Sequence, residues 1–79
     1  MNSDEIFAVI CDNVRQVLSS VSDRQLVRTD RLDALGANSV DRTEIVIMTI
    51  ERLDLNIPLV DTYGPRNIGE LADLLSTKL

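Results

Sequence analysis

The sequence predicts an all-α fold, a small helical bundle with a long first loop and a short third helix. Three observations point there. Apolar residues recur at helical spacing in three separate stretches. The chain is 44% hydrophobic, yet Phe7 and Tyr63 are its only aromatics, so Leu, Ile and Val must build the core, which favours helices packed on helices. At 79 residues it forms one small domain, and a domain near this size buries only about 60% of the surface its unfolded chain exposes, which leaves little room for a deep catalytic pocket.

The first helix is expected over residues 4–20. Ile6, Ile10, Val14, Val17 and Val21 recur at spacings of three and four, with Phe7 and Leu18 on the flank of the stripe. Asn2 to Glu5 has the spacing of a capping box. From Ser22 to Asn38 the period fades, Arg24, Arg28 and Arg31 alternate with Asp23, Asp30 and Asp33, and Leu26, Val27, Leu32 and Leu35 offer anchors. This is a long ordered loop that Leu32 and Leu35 pin to the core. Gly36 is expected to supply a backbone conformation that other residues resist.

The second helix runs from about Ser39 to Leu53 and is apolar on more than one side. Ile45, Thr49 and Leu53, with Val46 beside them, face the other helices. Val40, Glu44, Ile47 and Glu51 fall on the opposite side as an alternating apolar and acidic stripe leading away from Ser39. That stripe reads either as a docking face or as a solvated face with scattered apolar residues. Leu59 to Tyr63 makes one short turn after Pro58, before the Gly64-Pro65 break. Asn67 with Glu70 opens a final helix whose apolar face is Ile68, Leu71, Leu74 and Leu75.

A formal charge of −5 argues against nucleic acid and for partners with basic surfaces. Cys11, the one cysteine, cannot make an internal disulfide and reads as a small hydrophobe at the core edge. The chain shows neither a signal-like amino terminus nor an apolar run of membrane length, so a cytoplasmic monomer without membrane contact is expected. No histidine, one thiol and dispersed carboxylates give metal binding no support. Gly36-Ala37-Asn38 is too sparse in glycine for a phosphate-cradling loop.

Ser39 stands out by placement, in the run LGANSVDRTEIVI where a tight loop opens into the long helix. Its hydroxyl is a weak nucleophile without a neighbouring base, and the chain has no imidazole to supply one. A serine here reads either as the helix cap or as an attachment point, where the orphan amides of a helix start favour a phosphodiester.

With ERLDLNIP and RNIGELADLL following it, LGANSVDRTEIVI resembles the acyl carrier proteins of fatty acid and polyketide synthesis, over essentially the whole chain. In that family a Gly-x-Asp-Ser-Leu segment opens helix II, its serine receives 4′-phosphopantetheine, and a hydrophobic-Pro pair ends the next segment nineteen residues after the serine. Ser39 and Pro58 keep that separation. The resemblance implies a four-helix acyl-carrier bundle with no catalytic residue of its own. A phosphopantetheinyl transferase would join the arm from coenzyme A to Ser39. The family's helix II contacts then fall on Val40, Asp41, Glu44, Ile47 and Glu51.

The sequence departs from the common pattern with Asn38 for Asp, Val40 for Leu, Arg42 early in helix II and Ile50 where an acid is often found. The string GANSVDR with an Ile/Val-rich helix resembles the free-standing donor carriers of polyketide β-branching cassettes. Such carriers receive malonyl from an acyltransferase, a ketosynthase-like enzyme decarboxylates it, and the resulting acetyl group passes to a hydroxymethylglutaryl (HMG) synthase-like enzyme. Arg42, Ile47 and Ile50 are then expected to help select that synthase. A general fatty acid or polyketide carrier is the alternative within the family, and an unmodified helical adaptor the alternative outside it.

Overall fold

Helix α1 (Ser3–Val17) begins where the sequence places a reciprocal cap. The Glu5 amide donates to Asn2 Oδ1 at 2.8 Å, and the Asn2 amide donates to Glu5 Oε1 at 3.1 Å. A computed structural model describes residues 1–79, with α2 spanning Ser39–Arg52, α3 spanning Ile68–Ser76, and two 3₁₀ turns at Ser19–Val21 and Leu59–Thr62. The fold is all-α as expected, but the short third helix is a single 3₁₀ turn.

The first helix stops three residues before its expected end. Leu18 leaves helical geometry, and the Ser-rich segment after it tightens into the 3₁₀ turn. Serine hydroxyls compete with helical hydrogen bonds, which removes the propensity needed to continue. Val21 still reaches the core through the tighter turn, whereas Val17 is only half-buried.

In the loop, Leu26, Leu32 and Leu35 are buried as anchors, but Val27 is exposed. Arg28 does the fastening there. Its guanidinium donates to Ser3 Oγ, the Gly69 carbonyl and Asp73, pairs with Asp4, and stacks on the Phe7 ring. The backbone completes the join, since the Gly69 and Ile68 amides donate to the carbonyls of Arg28 and Asp30. An added Cβ on Gly69 would lie 2.6 Å from the Arg28 Cβ, so this crossing requires glycine. Gly36 has φ +100, the left-handed geometry expected of it.

α1 packs against both α2 and α3, while no Cα of α2 comes within 8 Å of one in α3. Its buried face, Ile6, Val9, Ile10 and Val14, meets Ile45, Val46 and Leu53 of the second helix and Leu71, Ala72 and Leu75 of the third in one cluster. One polar pair crosses this core. Asn13 Nδ2 donates to Thr49 Oγ1 at 2.8 Å, and that hydroxyl donates to the Ile45 carbonyl, so both buried groups are satisfied. No helix is long and apolar enough to cross a membrane.

Candidate functional site

The start of α2 is closed by Asn38. Asn38 Oδ1 accepts from the Asp41 amide at 2.8 Å, and Asp41 Oδ2 accepts from the Asn38 amide at 3.3 Å. This is a capping box with Asp in place of the commoner Glu. Ser39 is therefore the first helical residue and not the cap. Its hydroxyl makes no hydrogen bond within the chain and is exposed, while its carbonyl accepts from the Thr43 hydroxyl.

The local electrostatics suit a phosphodiester on that oxygen. The amides of Ser39 and Val40 have no intrahelical acceptors, and the partial positive charge of the helix start lies beside the hydroxyl. No side chain there is poised to take the hydroxyl's proton. The groups held away from their ordinary pKa values are Cys11, raised chiefly by burial, and Asp33 and Asp73, lowered chiefly by hydrogen bonds from Arg31 and Ser3. None of them lines the surface at Ser39.

Ser39 forms one end of a shallow groove along the outer face of α2, lined further by Val40, Thr43, Glu44, Ile47, Met48 and Glu51. Val40 and Ile47 are large apolar side chains left in solvent, 72% and 41% exposed, with Glu44 outward between them and Glu51 outward beyond Ile47. The stripe read from the sequence is thus one continuous surface leading from the serine. Asp41, in the cap, is half-buried at its head.

The structure separates Arg42 and Ile50 from that groove. The Arg42 guanidinium donates to the Thr62 carbonyl at 2.8 Å and lies 5.8 Å from the Tyr63 ring centroid, strapping the second 3₁₀ turn to α2. Ile50 is half-buried against the core. It also closes the end of α2, where the Leu55 amide donates to the Ile50 carbonyl and the Asp54 amide to that of Glu51, with Asp54 at φ 54. This is a Schellman ending, and the sequence hides it because Asp stands at the position usually held by glycine. The Arg42 strap has no sequence signature either, since the side chain spans twenty residues to a backbone carbonyl.

Comparison with known proteins agrees with this geometry. The family model described as a phosphopantetheine attachment site matches residues 8–75. The chain is 42% identical over 79 residues to the polyketide biosynthesis acyl-carrier-protein AcpK of Bacillus subtilis, covering 100% of this chain and 96% of that one. It is 32% identical over 66 residues to the chloroplastic acyl carrier protein 4 of Arabidopsis thaliana, covering 84% of this chain and 48% of that one. Among solved structures it is similar to the crystal structure of the curacin biosynthetic pathway HMG synthase in complex with acetyl donor-ACP, with a TM-score of 0.96 and 41% identity over 99% of this chain and 100% of that one. An exposed serine hydroxyl at a separately capped helix start, a bundle that superposes on a carrier throughout, and a matching phosphopantetheine-site family together place this chain among the acyl carrier proteins, which are non-catalytic carriers.

Proposed function

We propose that Ser39 carries the 4′-phosphopantetheine arm, and that the loaded chain is the acetyl donor to an HMG synthase-like enzyme in polyketide β-branching. The observation that carries the attachment is the Ser39 hydroxyl, exposed and unbonded because Asn38 has taken the capping role. When bound, the arm supplies a terminal thiol that holds an acyl group as a thioester. The donor role is supported by about two-fifths identity to a polyketide carrier and to an acetyl donor carrier that forms a complex with an HMG synthase. The other partners follow from that role: a phosphopantetheinyl transferase, a malonyl or acyl transferase, and a decarboxylating ketosynthase-like enzyme.

Val40, Glu44, Ile47 and Glu51 form the docking face, with Asp41 at its head. Two exposed apolar side chains between carboxylates suit a partner with an apolar hollow rimmed by basic groups, in a contact of modest area and salt-sensitive rim. Arg42 and Ile50 act on selection through shape, Arg42 by fixing the turn at Leu59–Thr62 and Ile50 by packing the last turns of α2 onto the core. Incubation with coenzyme A and a transferase should add one arm to the intact mass, and Ser39→Ala should abolish it. Transfer between paired donor and acceptor carriers by the synthase then separates the donor from a general carrier. Ile47→Glu should lower that transfer at least tenfold while arm attachment continues. Equal transfer by a fatty acid carrier and this chain would rule out the donor role.

A further inference from the structure

We infer that the hollow between the Arg31–Asp33 loop, Arg42 and the Tyr63–Asn67 segment is an anion site, and that its ligand is the free carboxylate of a short dicarboxylic acyl group borne on the Ser39 arm. This rests on the carrier reading above. The hollow is walled by the loop at Arg31–Asp33, by Arg42 of α2 and by the segment from Tyr63 into the first turn of α3, and has a volume of about 490 Å³, within the roughly 300–1,000 Å³ of small-ligand sites. Its walls include Arg31, Asp33, Arg42, Tyr63, Arg66 and Leu71.

Unpaired cations gather at this hollow. Of eight Lys and Arg side chains, five pair with carboxylates, namely Arg15, Arg24, Arg28, Arg31 and Arg52. The three without a carboxylate partner are Arg42, Arg66 and Lys78, and two of them line this one hollow. Asp33, the carboxylate in the wall, is already held by Arg31 through two bonds of 2.9 and 3.2 Å. Arg42 spends its bond on a neutral carbonyl and keeps its charge uncompensated. Glu70, next along from Arg66, turns its carboxylate to the Arg66 backbone amide and the Asn67 side chain. The result is a local positive hollow on a chain of net charge −5.

The site is within reach of the arm by construction. Ser39 and Arg42 stand at i and i+3, neighbours on the helix surface with Cβ atoms about 5–6 Å apart. A tethered ligand is presented at an effective concentration on the order of millimolar, so even a site with a dissociation constant in that range is about half filled. Guanidinium groups receive a carboxylate, and Tyr63 and Leu71 offer apolar wall to the carbons behind it. An acetyl group on the same arm offers the arginines no negative charge, only the thioester carbonyl both cargoes share, so the hollow discriminates a dicarboxylic cargo from its decarboxylated product.

The test compares ¹⁵N-labelled protein bearing malonyl on the Ser39 arm with the same protein bearing acetyl. Amide shift differences between the two should concentrate at Gly64, Asn67 and Leu71. Arg66→Ala should reduce them at least threefold, Arg66→Lys should retain most of them, and Arg42→Gln should reduce them while keeping a donor for Thr62. Differences that are absent, that fall only along Val40 to Glu51, or that survive Arg66→Ala unchanged overturn the anion site while leaving the carrier intact. Failure of Ser39 to accept an arm, seen by mass before any spectrum is taken, overturns the carrier reading and the site with it.

Discussion

Asn38 and Ser39 split two tasks that one serine often performs at a helix start. The cap bonds are made by the amide side chain, which leaves the neighbouring hydroxyl free for modification. Asn38→Ala should therefore cost stability without preventing modification: about 1 kcal/mol for a lost cap, read as a fall in Tm of about 4–8 °C for a domain of this size, with arm addition still seen by intact mass. The sequence left the roles of Ser39 open because Asn and Ser are adjacent and both are good caps. The Asn38-x-x-Asp41 spacing held the signal, weakened by Asp standing for the usual Glu. Cys11 also acts at this scale. It is buried, and burial pushes its thiol above the ordinary range, so a thiolate-seeking reagent should leave it unreacted in native protein. Native apo protein should titrate no fast thiol, the arm-bearing form one, and the unfolded arm-bearing form two.

The helices were legible wherever the apolar period and the caps agreed. Asn2 and Asn67 open α1 and α3 as their spacing predicts, and the buried side of α2 is the Ile45, Val46, Thr49 and Leu53 face expected of it. At Asn67 the reciprocal half of the box lands one residue early, on the Arg66 amide. What the period could not show were bonds between distant segments. Asn13 meets Thr49 across 36 residues, and Arg28 fastens the loop to α1 and to α3. Pattern reading detects faces of single elements, and partners of this kind are chosen by tertiary placement. Two substitutions test elements directly. Asp54→Gly should raise stability by about 0.5–1 kcal/mol by relieving the left-handed strain at the end of α2, and chemical denaturation should show the midpoint moving up. Gly69→Ala should lower stability by about 1–3 kcal/mol, because the added methyl meets the backbone of Arg28 and not a yielding side-chain tip.

Across the whole molecule, α1 is the common support and everything near Ser39 hangs from it through α2. The amino terminus, the long loop and α3 are joined by Ser3, Arg28 and Asp73. The Ser3 hydroxyl first, and then the Arg28 charge, hold the Asp73 carboxyl below its ordinary value of 3.8. A depressed carboxyl stabilises the fold above that ordinary value and loses its contribution as pH falls through the lower folded one. Melting followed from pH 6 down to pH 3 should show a decline that begins near pH 4, and Asp73→Asn should flatten part of it. The exposed setting keeps the effect small and sensitive to salt. The self-sufficient cap at Asn38 has a consequence for this architecture. Because the second helix is fully terminated without any attached group, adding the prosthetic chain at Ser39, as proposed, should change what the surface displays and leave the frame as it was. Blank and charged copies can then share one set of dimensions, and an enzyme that recognises that outline must tell them apart by what hangs from the oxygen.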